Sequence, residues 1–185
     1  MFKHFTTKQL IFIALIGAVL FLMDLTISTV IDVATGIIGA GYIVIIIFFT
    51  LIATVGALII PKFLVFTIMA FIYAALAIPT QVFGPPGFSK VIIAIVIGLT
   101  MDIIVKTFKY KKISYYLALI IGNIASLLLY VLAAIFLGFP GTENLLPYLW
   151  LFTVLYGIES IVGVWIGFKL YNKLKNKRIL QQISE

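Results

Sequence analysis

Apolar residues run through this chain in long stretches, interrupted only briefly by polar or turn-forming positions. A run of about 20 apolar residues is what one helix needs to cross the hydrocarbon layer of a membrane. The pattern predicts six such helices, at about 10–31, 36–60, 63–78, 88–105, 113–138 and 147–169, followed by a tail at 170–185. The second and third are divided only by Pro61 and Lys62, where proline's missing N–H ends one helix and a charge marks the turn. The fold predicted is an all-α membrane protein, a single domain over 1–185 built as a bundle of six transmembrane helices.

Two connections are richer in turn formers than the rest. They are Thr80-Gln-Val-Phe-Gly-Pro-Pro-Gly-Phe88, between the third and fourth spans, and Gly138-Phe-Pro-Gly-Thr-Glu-Asn144, between the fifth and sixth. Glycine and proline hold such segments to compact turns, suited to covering a cavity that opens on that side.

Composition removes the soluble alternative. Of 185 residues, 64% are hydrophobic and 10% charged, and the mean hydropathy is +1.27. A globule of this size has too little interior to hide so much apolar surface. The net charge of +7 is explained by topology. Lys3, Lys8, Lys62, Lys106, Lys109, Lys111, Lys112, Lys169, Lys173, Lys175, Lys177 and Arg178 all fall at one end of the predicted bundle, and Lys90 alone at the other. Basic residues gather on the cytoplasmic side, so both termini are expected there, with a basic cytoplasmic tail. No nucleic-acid partner is expected, because the charges are spread among the spans and form no single patch. The opening apolar run reaches about Val30 without a small-residue cleavage site, so it reads as a first transmembrane helix.

Ionisable groups inside a bilayer are costly and commonly mark function. Asp24 lies about 21 Å into the first span, Glu159 near the middle of the last, and Asp102 near the cytoplasmic end of the fourth. Lys106 follows Asp102 by four residues, which predicts a local ion pair on one helix face. Asp24 and Glu159 have no basic neighbour at helical spacing, which points to bonds between helices or to a solute-filled pocket. Asn123 and Gln81 supply amide donors and acceptors for a heteroaromatic solute, and Tyr130 and Tyr156 supply apolar walls. The expected substrate-binding set is therefore Asp24, Gln81, Asn123, Tyr130, Tyr156 and Glu159. Trp150 reads as a boundary aromatic.

No cysteine occurs and His4 is the lone histidine, so thiolate and histidine-rich metal sites are excluded. A hard cation held by carboxylates stays open on composition, but no metal site or cofactor is expected. A GxxxxGK[ST] phosphate loop is absent, and so is any serine–histidine or clustered-carboxylate arrangement. The chain is thus expected to be no enzyme, with energy coming from a partner or a gradient.

The first span also holds Ala14-Leu-Ile-Gly-Ala18, small residues four apart that let another helix approach closely. Ala14 and Ala18 point within about 40° of each other while Asp24 points about 100° away, so one helix offers a dry face and a polar face. Gly163 and Gly167 in the last span repeat the small-residue spacing.

With six spans, cytoplasmic ends, a basic leader and AxxxA in the first helix, the chain resembles an S component of an energy-coupling-factor (ECF) transporter. A second similarity is Gly84-Pro-Pro-Gly-Phe88 leading into Val91-Ile-Ile-Ala-Ile-Val-Ile-Gly98-Leu-Thr-Met-Asp102, like the glycine-rich entry and apolar fourth helix of that family. The spacing of spans and the basic turn from Lys106 to Lys112 are most similar to the branch for thiamine and its hydroxymethylpyrimidine precursor. The third span lacks the acidic residues common in that branch.

The resemblance implies a prokaryotic multi-pass cell-membrane protein that captures a vitamin or vitamin precursor from outside. It implies three partners, an ECF membrane coupling protein and two cytoplasmic ATPase subunits, with Ala14, Gly17 and Ala18 as the contact to the coupling protein. The alternative from the residues alone is a self-contained carrier or channel that uses Asp24 and Glu159 as a proton or cation relay.

Overall fold

The computed structural model describes residues 5–35, 40–80, 82, 86–138 and 142–184. Among these the chain is all-helical. It forms α1 (Thr7–Thr35), α2 (Ala40–Ile59), α3 (Val65–Ala77), α4 (Ser89–Thr107), α5 (Lys112–Phe136), a 3₁₀ turn (Thr142–Tyr148), α6 (Leu149–Leu174) and α7 (Arg178–Ser184). Thr7–Thr35, Lys112–Phe136 and Leu146–Leu174 are long and apolar enough to cross a membrane, whereas Val44–Ile59 and Val65–Ala77 are shorter apolar helices.

The six main helices close into a ring: α1 packs on α3, α3 on α4, α4 on α5, α5 on α6, α6 on α2, and α2 back on α1. Successive in the chain, α2 and α3 are thus separated in the ring by α1. Ile13, Leu20, Ala53, Met69, Ala94, Met101, Leu119 and Val164 fill the interior. Outward positions such as Ile11, Leu15, Leu22, Val96, Leu132 and Ile158 are exposed and apolar, the reverse of a water-soluble surface.

A capping box starts α1. Gln9 accepts from the Thr6 amide at 3.2 Å while the Gln9 amide donates to Thr6 Oγ1 at 3.4 Å. The same fully buried glutamine accepts from Lys62 Nζ at 2.7 Å and donates to the Ile183 carbonyl at 3.1 Å. The start of α1, the turn between α2 and α3, and the C-terminal α7 therefore meet at one end of the ring.

Helix contacts are closest where small residues stand. A Cβ on Gly98 of α4 would lie 2.5 Å from the Thr67 Cα of α3. Gly163 and Gly167 do the same for α6 against α2, next to Thr50 and Thr54. The small-residue pair of the last span is therefore internal packing.

Several expected boundaries shift. α1 continues to Thr35, so Asp32 is helical instead of lying in a connection. α6 begins after a 3₁₀ turn that contains Pro147, and it runs on to Leu174. The expected tail folds as the end of α6 plus α7, because Leu180 and Ile183 find apolar cover against the core.

Candidate functional site

The ionisable residues of α4 have a shared task. Asp102 accepts from the Phe66 amide at 3.2 Å, the Thr67 amide at 2.9 Å and Thr67 Oγ1 at 2.7 Å, binding the first turn of α3. Helix N-termini carry unpaired N–H groups and a partial positive charge, so a carboxylate is favoured there. Lys90, fully buried, donates to the carbonyls of Ala77, Thr80 and Val82 at 2.9, 2.7 and 2.5 Å. These lie at and just past the end of α3, where unpaired carbonyls favour a cation. An ammonium has three hydrogens, and all three are used.

Twelve residues separate the two charges, about 18 Å along α4, and the 13 residues of α3 span about 20 Å. α4 thus clamps both ends of α3 with matching sign. This corrects two expectations. The Asp102 carboxylate serves the neighbouring helix, not a local pair with Lys106, whose ammonium lies 4.6 Å from the Phe63 ring centroid. Lys90, expected as a lone external charge, is an interior group. Just beyond α4, burial and then the negative charge of Asp102 raise the Tyr110 phenol above its usual pKa.

Asp24, buried in α1, accepts from Ser28 Oγ one turn later and from the Tyr73 hydroxyl of α3. The Tyr73 ring is set by edge contacts with Phe21 and Phe49, at 6.5 and 5.7 Å between centroids. Asp24 and Lys90 also interact electrostatically, and Tyr130 of α5 donates to the Lys90 carbonyl at 3.4 Å. Asp24 and Tyr130 are therefore gathered round Lys90.

A second cluster joins α2, α5 and α6. Asn123 donates to Thr50 Oγ1 at 3.0 Å and to Ser160 Oγ at 2.7 Å, and Ser160 donates to the Tyr156 carbonyl at 2.6 Å. Interhelical hydrogen bonds of this kind contribute roughly 0.6–1.7 kcal/mol each. Asn123→Leu should therefore lower the unfolding free energy by about 1–2 kcal/mol, measured by chemical unfolding in mild detergent.

Glu159 precedes Ser160 in α6, about 15 Å from the start of that helix. Its Oε2 atom is shut off from solvent and, among the described residues, has no hydrogen-bond partner. A carboxylate oxygen in such a setting is strongly disfavoured unless the carboxyl takes up a proton or meets a donor from beyond the described residues.

The structure links Asp24 and Tyr130 to Lys90 and Asn123 to Tyr156 through Ser160, whereas Glu159 is set apart from both groups by its unsatisfied Oε2, and Gln81 lies outside the described residues. Trp150 is exposed in the first turn of α6. Gly17 packs on the Met69 carbonyl and Ile72 of α3, and Ala14 and Ala18 are half-buried. Gly17's surface is occupied within the chain.

The sequence reading missed Lys90, Ser28, Tyr73, Thr50 and Ser160. Only Lys90 carried a signal, as an ionisable residue inside an apolar run. Among the described residues no group of three or more His, Cys, Asp or Glu side chains is placed to hold a metal. A small cavity of about 30 Å³ is lined by Ile59, Tyr171, Lys175 and Leu180. That is room for about one water, at the end where α7 docks. Comparison of the chain with protein-family models, with curated proteins and with solved structures finds no match in any of the three.

Proposed function

We propose that this chain is a six-span membrane protein with cytoplasmic ends that captures a small vitamin-like solute from outside, as the S component of an ECF-type transporter. In this reading a membrane coupling protein and two ATPases supply the energy. The observation that carries the capture role is the Glu159 Oε2 atom, an enclosed acceptor that the described chain leaves unsatisfied. A solute bearing an N–H donor or a positive charge completes it. Asn123 fixes the three helices around that point, and Asp24 holds α1 to α3.

Six spans are supported by how α4 treats its charges. Lys90 and Asp102 turn toward the ends of α3, which leaves Ile92, Val96 and Ile103 facing outward. Ionisable groups tolerated at membrane depth are those satisfied within the bundle. Gln9 near the start of α1 and Ile183 of α7 meet beside Lys62, at the end of the bundle where the basic residues fall, and this supports cytoplasmic termini. The ECF assignment itself rests on the likeness of architecture and of the AxxxA segment.

The test is thermal stability of the detergent-purified chain against a panel of vitamins and precursors, because a ligand that binds only the folded state must stabilise it. A shift with one compound is expected. Glu159→Gln should weaken that compound's binding about 10- to 100-fold, the loss of a charge-assisted hydrogen bond. Glu159→Leu should raise the unfolding free energy of the empty protein by about 1–3 kcal/mol. Unchanged affinity in a folded Glu159→Gln protein sinks the assignment. In liposomes the chain alone should bind without turnover. Gradient-driven uptake by the single chain would instead make it a self-contained carrier.

A further inference from the structure

We infer that the seam between the start of α5 and the end of α6 binds the phosphate headgroup of an anionic phospholipid. The inference rests on the membrane reading above but not on substrate capture. Four lysines line this seam, Lys111 and Lys112 opening α5 and Lys169 and Lys173 closing α6, and all four are exposed. Among the described residues none has an ion-pair partner.

The acids among the described residues lie elsewhere, Asp32 in α1 among them. Asp24 and Asp102 are buried, Glu143 is in the 3₁₀ turn before α6, and Glu159 is ten residues before Lys169. Among the described residues the positive charge of the seam is therefore uncompensated locally.

Two ammonium groups are held over aromatic rings instead. Lys112 Nζ lies 5.4 Å from the Phe168 centroid, and Lys169 Nζ lies 3.6 Å from that of Trp165. Phe168 is locked in the α5–α6 contact, stacked on Tyr116 at 6.1 Å and edge-on to Tyr115 at 5.7 Å. The rings fix the height of the charges. The Lys112 and Lys169 heads therefore sit at the rim of the apolar belt, beside the exposed Ile113, Ile161 and Trp165.

Charges at that height, with apolar side chains directly below, match a lipid whose phosphate meets the lysines and whose chains follow α5 and α6. A docking segment of acidic protein would instead meet charges that stand clear of the belt. Each lysine near an anionic bilayer surface is worth about 1 kcal/mol, or roughly fivefold in preference.

The two tryptophans of the chain make this testable, since Trp165 lies at the seam and Trp150 in the first turn of α6. Trp150→Phe and Trp165→Phe each leave one reporter. Each protein is reconstituted into phosphatidylcholine vesicles containing a brominated lipid, either phosphatidylglycerol or phosphatidylcholine. Trp165 should be quenched at a fraction of brominated phosphatidylglycerol at least about fivefold lower than of brominated phosphatidylcholine, and Trp150 equally by both. High salt, or K111Q/K112Q/K169Q/K173Q together, should remove the difference.

Equal quenching of Trp165 by both lipids overturns the inference, as does a preference that survives the four substitutions. A Trp165 emission change caused by polyglutamate peptide, with no preference among lipids, assigns the seam to an acidic protein and overturns it too. Failure of either lipid to quench either tryptophan overturns the membrane reading beneath it. None of these outcomes depends on whether the chain binds a vitamin.

Discussion

Lys90→Met should lower the unfolding free energy by about 3–5 kcal/mol, although it exchanges a charge for an apolar side chain of similar length inside an apolar bundle. On hydropathy alone the exchange looks favourable. The expected loss comes from the carbonyls of Thr80 and Val82, which lose their ammonium donor, whereas the Ala77 carbonyl loses it but keeps the Thr80 amide and hydroxyl. Leaving buried acceptors unsatisfied costs about 1–3 kcal/mol apiece, with part recovered by relaxation of the turn. The electrostatic balance with Asp24 would be lost as well. Chemical unfolding in mild detergent measures the total, and hydrogen exchange locates it: amides in the second half of α3 should lose protection before those of α5. Lys8→Met, at an exposed position, should change stability by no more than about 0.5 kcal/mol.

Gly98→Ala should cost about 2–4 kcal/mol, from overpacking combined with loss of hydrogen bonds. The new Cβ would fall 2.5 Å from the Thr67 Cα and 2.9 Å from its amide nitrogen, so the obstacle is backbone and no side-chain rotation relieves it. Moving α3 away also pulls the Phe66 and Thr67 amides from Asp102. Gly157→Ala on α6 is the matching control. Its nearest neighbour would be Ile124 Cδ1 at 4.0 Å, so alanine's helix propensity should leave that protein equal or more stable by up to about 1 kcal/mol. A similar loss in both variants would mean that the cost is intrinsic to replacing a helical glycine and has nothing to do with the α3–α4 contact.

The helices were legible in the sequence and most of their polar partners were not. α1, α5 and α6 declare themselves as long apolar runs, and Pro61 marks the end of α2, because those signals are local. The Asp102–Lys106 spacing is also local, and it misled. A pair four residues apart is visible in one helix, whereas the amides of Phe66 and Thr67 come within reach only once α3 lies against α4. Asn123 was picked out as an amide deep in an apolar run. That its partners are Thr50 and Ser160 depends on ring order, which hydropathy does not encode. Gly163 and Gly167 show the same limit: their spacing announces a close helix contact without saying whether the other helix belongs to this chain. Glu159 was legible because an acid in mid-span is conspicuous wherever the neighbouring helices fall.

The closed ring of helices also sets a timetable for synthesis. α2 packs on α6, yet about a hundred residues of chain must be made between them, on the order of ten seconds at ordinary ribosomal rates. During that interval Thr50 lacks both Asn123 and the glycine face of α6, so the newborn bundle is an open arc with a notch beside α2. The notch closes when Gly163 and Gly167 slide into place against Thr50 and Thr54 as the last wall.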